Sequence, residues 1–159
     1  RAKTAGARTL LNLAPAAALE GGIADHLDVL IVNEIEAAMA VGKETIGDDA
    51  LGFATELSQK LDLTAVITLG RDGAVAAGPD GRFKVGSLAI EPVDTTGAGD
   101  AFVGVLAAAL DQGEDLQSAL RRASVGAGLA CTGLGAQTSQ PLAADIQARL
   151  LDVAIEAID

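Results

Sequence analysis

Val93-Asp94-Thr95-Thr96-Gly97-Ala98-Gly99-Asp100-Ala101-Phe102 runs directly into the apolar stretch from Val103 to Leu110. The segment reads as a β-branched, glycine-rich turn that opens a helix, with one carboxylate, Asp100, in the first helical turn. The first N–H groups of a helix lack intrahelical acceptors, and together with the positive end of the helix dipole they form a cradle for phosphate. Asp100 beside that cradle is placed to take a proton from a hydroxyl. The N–H groups of Ala98, Gly99 and Asp100 would meanwhile carry the charge of a transferring phosphoryl group. An acid in the first turn is also good capping chemistry. Gly97 and Gly99 lower helix propensity, however, and so suit a close approach to the backbone better than they suit a cap.

Working outward, the pattern is one of alternating strands and helices. Arg1 to Arg8 reads as the tail of a helix, Thr9 to Leu13 and Asp28 to Val32 as strands, and Asn33 to Val41 as a helix ending near Gly42. Asp48 to Leu61 carries apolar residues at Leu51, Ala54, Leu57 and Leu61 and predicts a second helix, followed by a strand over Thr64 to Leu69. This order is that of a parallel sheet covered on both faces. Gly73 to Ala77 and Arg82 to Val85, joined through Gly78-Pro79-Asp80-Gly81, predict a β-hairpin. Three helices are predicted after it, over Gly97 to Asp111, Leu116 to Thr132 and Ala143 to Ile158. The second of these is rich in Ala and Gly, which permits close approach to a neighbouring helix or to a ligand. Ligands of such sheets collect at the carboxyl ends of the strands, where Asn33, Glu36 and Thr68-Leu69-Gly70 fall.

At 159 residues the chain fits one domain with a substantial core. Half of it is apolar but only 2% is aromatic, so aliphatic side chains fill the interior, which suits helices stacked on a sheet better than a base-stacking platform. A formal charge of −11 with no basic patch argues against nucleic acid as a partner. A small nucleotide is held by local N–H groups and a metal ion and is less affected by net charge. Cys131 is the only cysteine, which excludes an intramolecular disulfide and a cysteine zinc site, makes a reducing cytoplasm the default expectation, and reads as a packed thiol. His26, the only histidine, reads as a loop or surface residue. No apolar run is long enough for a membrane span, and no signal peptide is expected before the first strand. A Walker-type P-loop is absent from the sequence.

Asp94-Thr95-Thr96-Gly97-Ala98-Gly99-Asp100 followed by Ala101-Phe102 resembles the C-terminal signature of the ribokinase (PfkB-type) carbohydrate kinase family. Four further landmarks agree in order and spacing: Leu11-Asn12-Leu13-Ala14-Pro15-Ala16, Asn33-Glu34-Ile35-Glu36, Ile67 to Gly73, and Gly133-Leu134-Gly135-Ala136-Gln137. The resemblance covers nearly the whole chain and leans toward the ribokinase branch. It implies a three-layer α/β/α fold with a mainly parallel sheet, and ATP-dependent phosphorylation of a sugar, ribose first among the candidates. Adenosine, fructose and 2-keto-3-deoxygluconate kinases share the Gly-Ala-Gly-Asp turn.

By this resemblance Asp100 is the catalytic base and contacts substrate, while Gly97, Ala98 and Gly99 form the anion hole for the γ-phosphate. Asn33 contacts nucleotide phosphates, and Glu36 organises Mg2+ through water, for which a single carboxylate is enough. The same tetrapeptide fits an N-cap with a capping-box Glu, and the two roles can coexist. Thr68, Leu69, Gly70, Arg71, Asp72 and Gly73 line the nucleotide pocket, with Ser124 and Gly128 toward adenine; small residues there are also what helix packing selects. A K+ site maps to the Asp94 side chain, the carbonyls of Thr96, Ala130, Gly133 and Gly135, and the Ser139 hydroxyl. All-oxygen ligation of this kind suits a large monovalent ion. The resemblance makes residues 1–159 the C-terminal portion of one domain, with the sugar-binding half, the Gly-Gly motif and the dimerising lid outside it. An open sheet edge is expected where those strands pair. Leu13 departs from the family's frequent proline. A nucleotide-binding or assembly module without catalysis is the alternative reading.

Overall fold

The computed structural model describes residues 1–15, 17, 19 and 22–159. Within them the chain forms two compact units: Arg1–Gly70, Ala74–Lys84 and Ala157–Asp159 make the first, and Arg71–Gly73 with Val85–Glu156 the second.

In the first unit β1 (Leu10–Asn12), β2 (Val29–Asn33) and β3 (Thr64–Thr68) pair in parallel, with Leu11 opposite Leu30 and Ile31 opposite Val66. Val29 to Val32 are buried without interruption, as a parallel strand covered on both faces requires. Asp28 fastens the first pair: its carboxylate accepts from the Thr9 N–H at 2.7 Å and the Thr9 hydroxyl at 2.8 Å. Those bonds, the N–H first, hold its pKa below the ordinary carboxylate value.

Helix α1 (Glu34–Ala40) leaves the end of β2, and α2 (Ala50–Leu61) precedes β3. Asp49 caps α2 by accepting from the Gly52 N–H at 2.8 Å. Leu51, Phe53, Ala54 and Leu57 are buried in a core with Leu30, Val32, Ala65 and Ile67. Each large apolar side chain buried there contributes about 1.5–3 kcal/mol.

The chain then reverses. β4 (Ala74–Gly78) runs antiparallel to β3, Ile67 lying opposite Val75, and β5 (Gly81–Val85) follows the two-residue turn Pro79-Asp80. The sheet order is β1-β2-β3-β4-β5-β6, where β6 is Ile155–Ile158.

The second unit holds α3 (Ala98–Asp111), α4 (Leu116–Ala130) and α5 (Ala143–Ala148). A Cβ added to Gly126 of α4 would lie 2.9 Å from Val105 Cγ2 and 3.4 Å from Ile146 Cδ1, so the small residues of α4 let α3 and α5 close on it. Arg122 pairs with Glu114 at 2.7 Å and donates to Gln147 at 2.7 Å.

Two sequence expectations need correction. Residues 143–158 are not one helix: α5 stops at Ala148, a 3-10 turn covers Leu150–Asp152, and Ile155–Ile158 is strand. Ile146, Leu150 and Val153 carry a helical spacing, but a free sheet position beside β5 outweighs that local preference. The N-terminal helix is likewise only a 3-10 turn over Lys3–Ala5, closed by left-handed Gly6 at φ 81°. Ala16, the last residue of the landmark that begins at Leu11, lies outside the described residues.

Candidate active site

The N-terminus of α3 is uncapped by any side chain, and its N-cap is Gly97 at φ 82°. The Ala98 N–H donates to the Thr95 carbonyl at 3.2 Å, and the Ala101 N–H to the Gly97 carbonyl at 2.9 Å. Between them the N–H groups of Gly99 and Asp100 have no acceptor among the described residues. Ala98, expected to share in anion binding, thus has its N–H turned to Thr95. Asp100 is exposed and accepts from no backbone N–H of its own helix end, so its carboxylate is not consumed as a cap.

Gly97 and Gly99 have different reasons to be glycine. A Cβ on Gly97 would sit 2.9 Å from Ala136 Cβ and 3.0 Å from Ala136 Cα, at a φ that L-residues avoid. A Cβ on Gly99 would meet nothing within 4 Å. Gly97 therefore serves packing against Ala136, while the backbone of Gly99 faces open space.

Asp94 ties the two loops together. One carboxylate oxygen accepts from the Thr96 N–H and the other from the Gly135 N–H, both at 2.9 Å. The Thr96 hydroxyl, then the Gly135 and Thr96 N–H groups, lower its pKa from 3.8 to about 2, so it is ionised at neutral pH. The Val93 and Asp94 N–H groups donate to the Cys131 carbonyl at 2.8 and 3.3 Å. Burial and then the Asp94 charge push the Cys131 thiol up, which makes it a packed group rather than a nucleophile.

The Ser139 hydroxyl donates to the Gly135 carbonyl at 2.6 Å, and a Cβ on Gly133 would lie 3.2 Å from Ser139 Cβ. Asp94, Gly133, Gly135 and Ser139 are thus brought together, with Thr96 joined to Asp94 through its N–H, while no bond among the described residues draws in Ala130. The oxygens are hard and mostly neutral with one fixed carboxylate, a donor set that fits a monovalent cation.

In the first unit Asn33 and Thr68 are register partners at the carboxyl ends of β2 and β3. The Asn33 side chain accepts from the Glu36 N–H at 2.8 Å, and the Glu36 carboxylate accepts from the Asn33 N–H at 2.8 Å. The capping box is therefore formed. Among the described residues it leaves the Asn33 side-chain amide N–H groups and the second Glu36 oxygen uncommitted, so capping does not use up the pair. Among the described residues no group of three or more His, Cys, Asp or Glu side chains is close enough to hold a metal ion. A divalent ion at Glu36 would rest on water and phosphate rather than on a protein cage, as suits Mg2+.

Gly70–Asp72 forms a 3-10 turn after β3, with Leu69 packed against the core and the Arg71 and Asp72 side chains exposed. Ser124 lies in the second unit, on α4. It is 4% exposed, and its hydroxyl donates to the Gly86 carbonyl. A Cβ on Gly128 would lie 2.6 Å from Leu88 Cβ. Both residues pack against 86–88. Sequence reasoning gave no role to Ala136, although it sits inside the quoted Gly133 to Gln137 landmark. Ser87 carried no signal at all.

Residues 2–143 match the pfkB family carbohydrate kinase pattern. Ribokinase of Bacillus subtilis (strain 168) is 34% identical over 138 residues, which is 87% of this chain and 44% of that protein. Deoxyribokinase of Salmonella typhi is 33% identical over 141 residues, 87% of this chain and 46% of that protein. Arabidopsis thaliana ribokinase, solved in complex with ribose and ATP, superposes at TM-score 0.85 with 27% identity over 93% of this chain and 49% of its own. The chain spans about half the length of these relatives. The α/β architecture expected from the sequence is the one found in the structure that superposes on the Arabidopsis ribokinase.

Proposed function

Because the chain belongs to the pfkB family of carbohydrate kinases, we propose that this protein transfers the γ-phosphoryl group of ATP to a hydroxyl of a small sugar. Ribose is the leading substrate and ribose 5-phosphate the product. The observation that carries the reading is the open N-terminus of α3, where the Gly99 and Asp100 N–H groups lie unpaired beside an uncommitted carboxylate.

Asp100 accepts the proton of the sugar hydroxyl as its oxygen attacks the γ-phosphorus, and ADP leaves with the electrons of the broken bond. The Gly99 and Asp100 N–H groups hold the charge that develops on the transferring group. In phosphoryl transfer, positioned donors of this kind lower the barrier more than proton removal does.

The Asn33 amide would hold nucleotide phosphates, and the free Glu36 oxygen the water shell of Mg2+, which neutralises phosphate charge when bound. Thr68 to Gly73 would line the nucleotide. Asp94, Thr96, Ala130, Gly133, Gly135 and Ser139 would hold K+, a reading supported by the gathered oxygens and the ionised Asp94. The choice of a pentose rests on the relatives, whose names include both ribokinase and deoxyribokinase.

The test is ADP release by the intact protein in the presence of ATP, Mg2+ and ribose. Asp100→Asn is expected to lower kcat by about 10²–10⁴-fold, the usual worth of a general base, while ATP binding persists. A parent protein that binds ATP and turns over no sugar would instead support a nucleotide-binding module. An Asp100→Asn variant at the parent rate would remove Asp100 from the chemistry.

A further inference from the structure

The second unit contains a chain of contacts that the proposed reaction does not use. The Ser124 hydroxyl of α4 donates to the Gly86 carbonyl, and the Gly86 N–H donates to the Ala154 carbonyl at 2.9 Å. Both polar backbone groups of Gly86 are thereby fixed. The next residue reaches the opposite way: the Ser87 hydroxyl donates to the Arg71 carbonyl at 2.5 Å. Gly73 is pressed against the same segment, since a Cβ there would lie 2.0 Å from the Val85 oxygen and 2.7 Å from the Gly86 carbonyl carbon.

We propose that Ser124 and Ser87 are positioning residues for nucleotide binding, acting in series through Gly86 to hold the backbone of the turn Arg71–Gly73. The inference rests on the reading of that turn as part of the nucleotide site. The Arg71 and Asp72 side chains are exposed, so the turn is anchored by its backbone while its side chains stay free to meet a ligand. A short exposed turn of this kind has to be ordered when a ligand binds unless something orders it beforehand, and prior ordering raises affinity. Ser124 then contributes to ATP affinity without touching ATP.

The experiment measures ATP affinity by equilibrium titration, together with steady-state kinetics and thermal midpoints, for the intact protein and four variants. These are Ser87→Ala, Ser124→Ala, the double variant and Ser87→Thr. Each alanine variant is expected to weaken ATP binding by about two- to tenfold, the worth of one hydrogen bond. The loss should fall on ATP affinity, with the sugar KM at saturating ATP held at the parent value. Because the two serines act in series, the double variant should be no weaker than the worse single, and Ser87→Thr should recover the parent affinity. Parent-like ATP affinity in Ser87→Ala, or additive losses in the double variant, overturns the proposal. Ser87 is only partly buried, so that arm stands even where Ser124→Ala fails to fold. A parent protein that does not bind ATP overturns the nucleotide reading itself, a result distinct from a parent that binds and variants that match it.

Discussion

Gly99 separates the two roles that the start of a helix can have. Its φ is not positive, and an added Cβ would meet nothing within 4 Å, so the free protein has no need of glycine there. Gly99→Ala should therefore raise the thermal midpoint or leave it unchanged, since alanine gains up to about 1 kcal/mol of helix propensity. If a phosphate docks on the adjacent N–H groups, the new methyl stands in its way, and displacements of about 1 Å at a reacting centre cost on the order of 100-fold in rate. The expected outcome is a stable variant with a large loss in kcat/KM for ATP, read from melts and kinetics on the same preparation. Parent kinetics would return the glycine to a purely local role. Gly97 makes the opposite case, because the body that approaches it is Ala136 of the same chain. The sequence shows that both glycines permit a close approach, but what approaches Gly97 lies 39 positions away and depends on the fold.

Helix α1 carries the same ambiguity at the level of an element. Its capping box is complete, so stability alone would account for Asn33 and Glu36. Serine at position 33 keeps an oxygen that can accept from the Glu36 N–H but removes the amide N–H groups that capping leaves unused. Asn33→Ser is thus expected to hold the thermal midpoint, since good N-cap residues exchange with little cost, and to raise the KM for ATP. Asn33→Ala should lower both stability, by about 1 kcal/mol, and ATP affinity. Equal ATP affinity in Asn33→Ser and the parent would leave the box a cap and nothing more. Elements with a local cause were legible in this way: the β4–β5 hairpin from Asp80-Gly81, α2 from its apolar spacing, and β2 from its unbroken apolar run. β6 was not, because Ile146, Leu150 and Val153 ahead of it repeat at helical spacing and only the place beside β5 makes Ile155–Ile158 a strand. The bond from the Ser124 hydroxyl was not legible either, since its partner, Gly86, is 38 residues away.

For the molecule as a whole, charge sets two effects against each other. With 11 basic and 22 acidic residues the net charge is 11 − 22 = −11, and like charges repel in the compact state. The ion pairs at Lys3–Asp28 and Lys43–Glu56 act the other way, but the first is only half-buried and the second exposed, and solvent-screened pairs contribute about 0–1 kcal/mol each. Repulsion should win. Raising tetramethylammonium chloride from about 10 mM to about 150 mM shortens the Debye length from about 30 Å to about 8 Å, and is expected to raise the thermal midpoint by weakening that repulsion. Tetramethylammonium is too large to enter the oxygen cluster of Asp94, Gly135 and Ser139, so its effect reports screening alone. Potassium chloride at the same ionic strength should raise the midpoint further, because an ion that binds only the folded state adds its binding free energy to stability. Potassium should also raise the phosphorylation rate above that in the tetramethylammonium salt. Equal midpoints and equal rates in the two salts would remove the cation site, while leaving Asp94 as the carboxylate that holds the 94–97 turn to the loop at Gly135.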